Sequence, residues 1–202
     1  MGKVAKKKIS AEMGEKLVYG QLYKRSALRV LSPHSLERHI AELVDTKVLR
    51  KQAPGIYLCI GGVTGDDGPV PDEKKLIETF LRDERYLVVT EKDYKTAGLP
   101  TPKTKGEKLV YNHKRHGYGR KFRLGAIRYE FRVKPFIPEK LSKAFLIVDV
   151  INNLHLIVGD KKHAQRVVKN RAATIPYDKM VEAINEYAGA RARKFFADFL
   201  EA

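Results

Sequence analysis

Ser32-Pro-His-Ser-Leu-Glu-Arg-His-Ile-Ala-Glu-Leu-Val44, followed by Val48-Leu-Arg-Lys-Gln-Ala-Pro-Gly-Ile-Tyr57, is the stretch whose reading decides the fold of this chain. Ser32-Pro33 is a helix-start signal. A serine side chain can accept an orphan backbone N–H, and the fixed φ of proline suits the first helical turn. Leu36, Ile40, Leu43 and Val44 then recur at the spacing of one helical face. The other face offers His34, Ser35, Arg38 and Glu42, with His39 near its edge. Val48–Gln52 and Ile56–Ile60 are short β-prone runs joined through Pro54-Gly55, which is hairpin chemistry. Helices followed by a hairpin predict a winged helix-turn-helix.

Upstream, Ser10–Tyr19 reads as a helix capped by Ser10, with Met13, Leu17 and Val18 sharing a face. Gln21–Leu31 reads as a second short helix with Leu22, Ala27 and Val30 inward. Downstream, Gly61–Pro71 holds four glycines and two prolines, the composition of a loop. Its Asp66-Asp67 pair lacks the alternating carboxylates and distal Glu of a calcium loop, so the segment reads as a linker. The expected domains are therefore residues 1–62, a linker at 63–71, and 72–202.

In the second half, Asp72 caps an expected helix over Glu73–Leu81. Tyr86–Thr90 reads as a strand and Glu91–Gly98 as a short helix ended by glycine. Leu109–Asn112, Lys121–Leu124 and Ile127–Lys134 read as strands, and Lys143–Leu156, Lys161–Arg171, Tyr177–Tyr187 and Ala190–Leu200 as helices. In the last of these, Phe195, Phe196, Phe199 and Leu200 form the expected core stripe. The fold class that results is α+β: an N-terminal winged helix-turn-helix followed by a small mixed α/β domain with C-terminal helices.

The 202 residues carry 40 Lys and Arg against 24 Asp and Glu, a formal net charge of +16. Lys and Arg displace counterions condensed on phosphates, so polyanions are the first partners to consider. Between Lys103 and Lys134 eleven basic residues face only Glu107 and Glu130. The single cysteine, Cys59, rules out a disulfide within the chain and a cysteine-built zinc site, and its apolar neighbours make it buried filler. No apolar run reaches the roughly 20 residues of a membrane span. The start, Met1–Lys8, lacks the apolar region of a signal peptide. Cytoplasmic location, without a membrane partner, is the expectation.

There is no phosphate-binding glycine loop, no zinc-protease His pair and no nucleophile elbow. His113 and His116 are close in sequence, but Lys114, Arg115 and Arg120 around them would repel a cation, so no metal is expected. A basic turn that touches phosphate or is simply solvated fits those residues better. Tyr111, Tyr118 and Phe122, interleaved with these charges, read either as stacking platforms for bases or as core. No cofactor is expected, and the absent motifs argue against an enzyme.

The segments Ser32–Val44 and Val48–Tyr57 resemble the winged helix of the AbiEi-family antitoxins, transcriptional regulators of abortive-infection toxin–antitoxin operons. Tyr86-Leu-Val-Val-Thr90 with Ala97-Gly-Leu-Pro-Thr101, Gly125-Ala-Ile-Arg-Tyr-Glu-Phe-Arg-Val-Lys-Pro135 and Leu146-Ile-Val-Asp-Val-Ile-Asn-Asn-Leu154 extend that resemblance from about Val18 to Phe199. The resemblance implies a non-enzymatic protein that represses its own operon and opposes a nucleotidyltransferase-like toxin in phage defence. It also implies that the first domain reads double-stranded DNA at the protein's own promoter.

In a helix-turn-helix the N-terminal residues of the second helix meet base edges in the major groove. The expected readers are His34, Ser35, Arg38 and His39. Arg38 is foremost, because its fork suits guanine O6 and N7; its alternative is a solvated pair with Glu42 one turn on. Arg50, Lys51 and Gln52 are the expected wing contacts. Lys6, Lys7 and Lys8 read as a basic arm or as a solubilising tail. Lys114, Arg115, Arg120, Lys121 and Arg123 are further candidate phosphate contacts. These last residues also carry the alternative function, an RNA-binding or ribonucleoprotein factor working through the basic second half.

Overall fold

The computed structural model describes residues 14–31, 35–62, 68–104, 106–116 and 119–201. The chain is a mixed α+β protein with two sheets and several helices, and it divides into two compact units. The first comprises residues 1–84 together with 123–126; the second comprises 85–122 and 127–202.

The first unit begins, among the described residues, with Gly14 and Glu15 in helical conformation. The helix expected over Ser10–Tyr19 ends early: the chain has turned by Lys16, and Val18 and Tyr19 are exposed, while Ser10 to Met13 lie outside the described residues. The second expected helix is also redrawn. Leu22–Lys24 form strand β1, and only Arg25–Leu31 form helix α1. Leu28 is buried and Ala27 exposed. The reason is tertiary. β1 pairs antiparallel with a later strand, Leu22 opposite Leu58 and Lys24 opposite Ile56, and that pairing overrides a weak local helix preference.

Helix α2 spans Leu36–Asp45 and buries Leu36, His39, Ile40 and Leu43. Its start lies three residues later than Ser32-Pro33 predicts. Ser35 precedes it in the left-handed region at φ 58° and offers no side-chain cap, while Ser32 and Pro33 lie outside the described residues. Strands β2 (Leu49–Ala53) and β3 (Ile56–Cys59) form the expected hairpin, turning through Pro54-Gly55 with Gly55 at φ 71°. The three-stranded sheet runs β1-β3-β2. Leu28, Leu36, Ile40, Leu43, Leu49, Tyr57 and Cys59 share one core, so the lone cysteine is packing. Fully burying each of the leucines and Ile40 contributes about 1.5–3 kcal/mol.

Helix α3, Glu73–Leu81, also belongs to this unit. Asp72 Oδ1 accepts from the Lys75 N–H at 2.8 Å, which is the N-cap expected from the sequence, and Leu76, Ile77, Phe80 and Leu81 are buried.

The second unit is built on a four-stranded sheet ordered β4-β5-β7-β6, with β4 at Tyr86–Thr90, β5 at Lys108–Asn112, β6 at Arg120–Leu124 and β7 at Ile127–Val133. β4 and β5 are antiparallel; β5 and β7 are parallel, Tyr111 facing Arg132 in register. Short helix α4, Glu91–Thr96, follows β4 through a Thr90–Asp93 capping box.

Helix α5, Lys143–Asn152, is the centre. Ala144 to Ile151 are all buried, as expected of a helix apolar nearly all round. A short 3-10 turn, Leu154–Leu156, ends it. Around α5 pack α6 (Lys161–Ala172), α7 (Tyr177–Tyr187) and α8 (Ala190–Phe195). The chain closes with α9, Ala197–Leu200; the expected single helix breaks at Phe196, the one fully buried member of the Phe195, Phe196, Phe199 and Leu200 stripe. Among the described residues no helix is long and apolar enough to cross a membrane.

Candidate nucleic-acid interface

Two basic surfaces hold the candidate contact residues that face solvent. The first lies on α1, α2 and the β2–β3 hairpin. Ser35 and Arg38 are exposed, and the Ser35 carbonyl accepts from the Arg38 and His39 N–H groups at 3.1 Å each, which fixes the first turn of α2. Among the described residues, no ion pair or side-chain hydrogen bond engages the Arg38 guanidinium, so the Glu42 pairing is not drawn. One turn away, Arg25 at the head of α1 bonds Glu37 through Nε and Nη2, both at 2.5 Å. Both side chains are more than half exposed, so this pair sets orientation more than stability. Arg25, Ser26, Arg29, Leu36, Glu37 and Arg82 line an open concavity of about 480 Å³, with three arginines against one carboxylate.

Two of the expected contact residues are turned inward. His39 stands three residues after Leu36 and four before Leu43, on the apolar stripe, and is 2 % exposed. Gln52 is buried as well. The β2–β3 register slips between Lys51 and Ala53, so Gln52 is the extra residue of a bulge and drops out of the in-out alternation. Arg50 is half-buried and its Nη2 donates to the Pro69 carbonyl at 2.6 Å, holding the end of the glycine-rich loop against the hairpin. Of the expected wing trio, Lys51 is the exposed one. His34, Lys6, Lys7 and Lys8 lie outside the described residues.

The second basic surface is the turn after β5 together with β6, an edge strand. Asn112 is buried, donates to the Arg132 carbonyl at 3.2 Å, and accepts through Oδ1 from the Lys114 and Arg115 N–H groups at 3.2 and 2.7 Å. This side chain-to-backbone turn sends Lys114 and Arg115 outward. Arg120, Lys121 and Arg123 are exposed along β6, Arg123 grouping with the first unit.

His116 sits at φ 59° with its ring 4.7 Å from that of Phe122. Burial, then the charges of Arg115 and Arg120, hold its pKa below the ordinary histidine value. Phe122 packs in turn on Phe131, 5.9 Å between centroids, and Tyr111 is wholly buried; both aromatics act as packing groups here, while Tyr118 lies outside the described residues. His113 Nδ1 lies 3.1 Å from the Pro135 carbonyl. Among the described residues no three His, Cys, Asp or Glu side chains gather as metal ligands would.

The sequence reading missed a buried polar network in the second unit. Asp149, on α5, accepts from the Tyr94 hydroxyl at 2.6 Å, from the Tyr111 hydroxyl at 2.8 Å, and from the Lys134 ammonium, which also lies over the Tyr111 ring. Asn153 donates to the Asp149 carbonyl and to the Tyr111 oxygen, and accepts from Arg132 at 2.7 Å. Arg132 forks onto Glu130 Oε1 at 2.8 and 2.6 Å.

Burial, reinforced by the Asp149 charge, lifts both phenols well above the ordinary tyrosine value. Burial opposes the Arg132 charge, but the bond to Glu130 outweighs it and the guanidinium is held charged. Arg132 and Lys134 are therefore internal ions, unavailable to a polyanion. The signal for them was Asp149 itself: a lone carboxylate inside Leu146–Ile151 demands a buried partner.

No protein-family model and no curated protein matches the sequence. Among solved structures, the chain is similar to the crystal structure of the RV2827C protein from Mycobacterium tuberculosis. The two share 12% identity and a TM-score of 0.49, over 100% of this chain and 77% of that one.

Proposed function

We propose that the first unit is a winged helix-turn-helix that binds duplex DNA, and that the chain is a transcriptional autorepressor and antitoxin, not an enzyme. The observation that carries the DNA reading is the exposed Arg38 in the first turn of α2, whose guanidinium no side chain engages among the described residues. That helix follows α1 and precedes a hairpin whose sheet is ordered β1-β3-β2. In this reading α2 lies in the major groove, Ser35 and Arg38 meet bases or phosphates, and Lys51 on the hairpin touches the backbone. The net charge of +16 supplies the attraction. The antitoxin role, against a nucleotidyltransferase-like toxin, rests on the resemblance of Ser32–Tyr57 and the later segments to AbiEi antitoxins.

The test is fluorescence anisotropy with the DNA upstream of the protein's own gene and a scrambled duplex. With about 6–10 phosphate contacts, affinity falls roughly 10³–10⁵-fold between about 50 and 200 mM salt. Arg38→Ala costs about 1–3 kcal/mol on the upstream DNA and less on the scrambled duplex. A flat salt profile removes the DNA reading; an equal loss on both duplexes reduces Arg38 to a phosphate contact. Growth rescue on co-expression with the neighbouring toxin gene tests the antitoxin role.

A second reading has its own observation. Lys114, Arg115, Arg120 and Lys121 all face solvent on one turn and one edge strand of the second unit. That surface suits a ribose-phosphate backbone, and RNA that outcompetes duplex DNA in the same assay would favour an RNA-binding factor.

A further inference from the structure

A groove in the second unit is lined differently. Its walls are the segment before α5, the first turn of α5 and one face of α7, and it encloses about 360 Å³. Ala144 and Ala183 are buried at its floor, and Ile175, Pro176, Pro138 and Tyr187 extend the apolar lining. The small side chains of Ala144 and Ala183 leave the space open. Tyr187 is fixed in the wall: its ring packs edge-on against Phe145 at 5.3 Å, and its carbonyl accepts from Asn152 at 2.9 Å. The groove is therefore preformed. Two residues before Pro138, Phe136 is 64 % exposed, so apolar surface continues along the chain leading into it.

The charged residues of the lining are three lysines, Lys140, Lys143 and Lys179, and one carboxylate, Glu182. Glu182 is already taken up by Lys179 at 3.0 Å. An excess of two positive charges thus stands over an apolar floor.

We infer that this groove docks a short acidic segment of a protein partner, one that sets an apolar side chain onto Ala144, Ala183 and Ile175 and its carboxylates against Lys140 and Lys143. The charge complementarity selects against basic segments, and the apolar floor selects against a nucleic-acid backbone, which would leave that floor uncovered. The inference is independent of DNA binding by the first unit.

The test uses the full chain and a fluorescent peptide of leucines flanked by aspartate and glutamate. Two control peptides accompany it, one with lysine replacing every acid and one all-acidic without leucine. Binding of the acidic, leucine-containing probe should be on the order of tenfold tighter than that of either control. Combined Lys140→Glu and Lys143→Glu should weaken it by about tenfold, while binding to duplex DNA at physiological salt changes by less than about twofold. Both lysines are exposed, so the variant's circular dichroism and melting should match the parent. A second variant, Ile175→Asp, should weaken the probe without touching a lysine.

Equal binding of the all-acidic peptide would show general attraction to anions and overturn the proposal. So would displacement of the probe by RNA or DNA, binding of the lysine peptide, or indifference to both variants.

Discussion

Replacing Asp149 by asparagine keeps the shape of the side chain and removes its charge, at the point where three donors converge. The carboxylate accepts from two phenols and one ammonium, and its side chain has no solvent exposure. An amide oxygen at the Oδ1 position keeps the Lys134 ammonium. The amide nitrogen then stands where Oδ2 accepted from both phenols, and neither hydroxyl can go on donating there. Each charge-assisted bond contributes about 1.5–3 kcal/mol, but the three share one acceptor and do not add. The cost of removing one partner of a buried pair, about 3–5 kcal/mol, is the better single figure. For a unit of this size that is a fall in melting temperature of about 10–20 °C.

Calorimetry with urea unfolding measures the loss directly, and a double-mutant cycle assigns it. Tyr111→Phe should cost about 1–2 kcal/mol in the parent and almost nothing beside Asn at position 149. A loss below about 1 kcal/mol for Asp149→Asn, or an equal cost of Tyr111→Phe in both backgrounds, would refute the claim that this network holds the second unit together.

Gly106→Ala should destabilise the second unit by about 1–3 kcal/mol, because an added Cβ would stand 2.7 Å from the Glu130 nitrogen and 2.8 Å from the Tyr129 carbonyl carbon, backbone atoms of a sheet strand; an unchanged melting temperature would show that the 106–107 turn yields. Alkaline pH should destabilise the fold. Tyr94 and Tyr111 have folded pKa values above the unfolded one, so their contribution is intact below about pH 10 and is lost as pH rises above it. Urea midpoints across that range should fall, and less steeply for Tyr94→Phe. The His116 ring should titrate below the ordinary histidine value in the free protein. It should move upward when a polyanion neutralises Arg115 and Arg120, a shift that NMR reads directly and whose absence would remove that turn from any phosphate contact.

Much of the fold was legible. The alternation and helical spacing in residues 86–187 mark β4, β5, β6, β7, α6 and α7 to within a residue or so, because long periodic segments bury one face and declare it. Leu22–Lys24 were not legible as a strand. Three residues carry no periodicity of their own, and what makes them extended is Tyr57 and its neighbours on β3, more than thirty positions away in sequence. The break at Phe196 was hidden for a similar reason: Ala190–Leu200 is helical in pattern throughout.

The candidate surfaces divide along the same line. Arg38 and His39 are neighbours in sequence with opposite fates, because 100° of helical rotation separates exposed guanidinium from buried imidazole. Spacing from Leu36 and Leu43 alone would have put His39 inside. Gln52 could not be read this way, since a bulge is a property of the pair of strands and not of one.

The strand β7 shows the remaining difficulty most plainly. Period-two alternation sets Glu130, Arg132 and Lys134 on one face and Tyr129, Phe131 and Val133 on the other, so the polar set looks like the solvated side of a half-buried strand. It is largely buried instead, as Tyr129 and Phe131 on the other face are. Tyr111 neighbours Arg132 across the parallel pair, and Asp149 on α5 supplies the counter-charge to Lys134. A basic residue is thus withdrawn from the solvent-facing charge by a carboxylate placed in an apolar helix. The charge that reaches solvent in this unit is smaller than the residue count implies, and Lys114, Arg115, Arg120 and Lys121 are among the basic residues that keep their exposure.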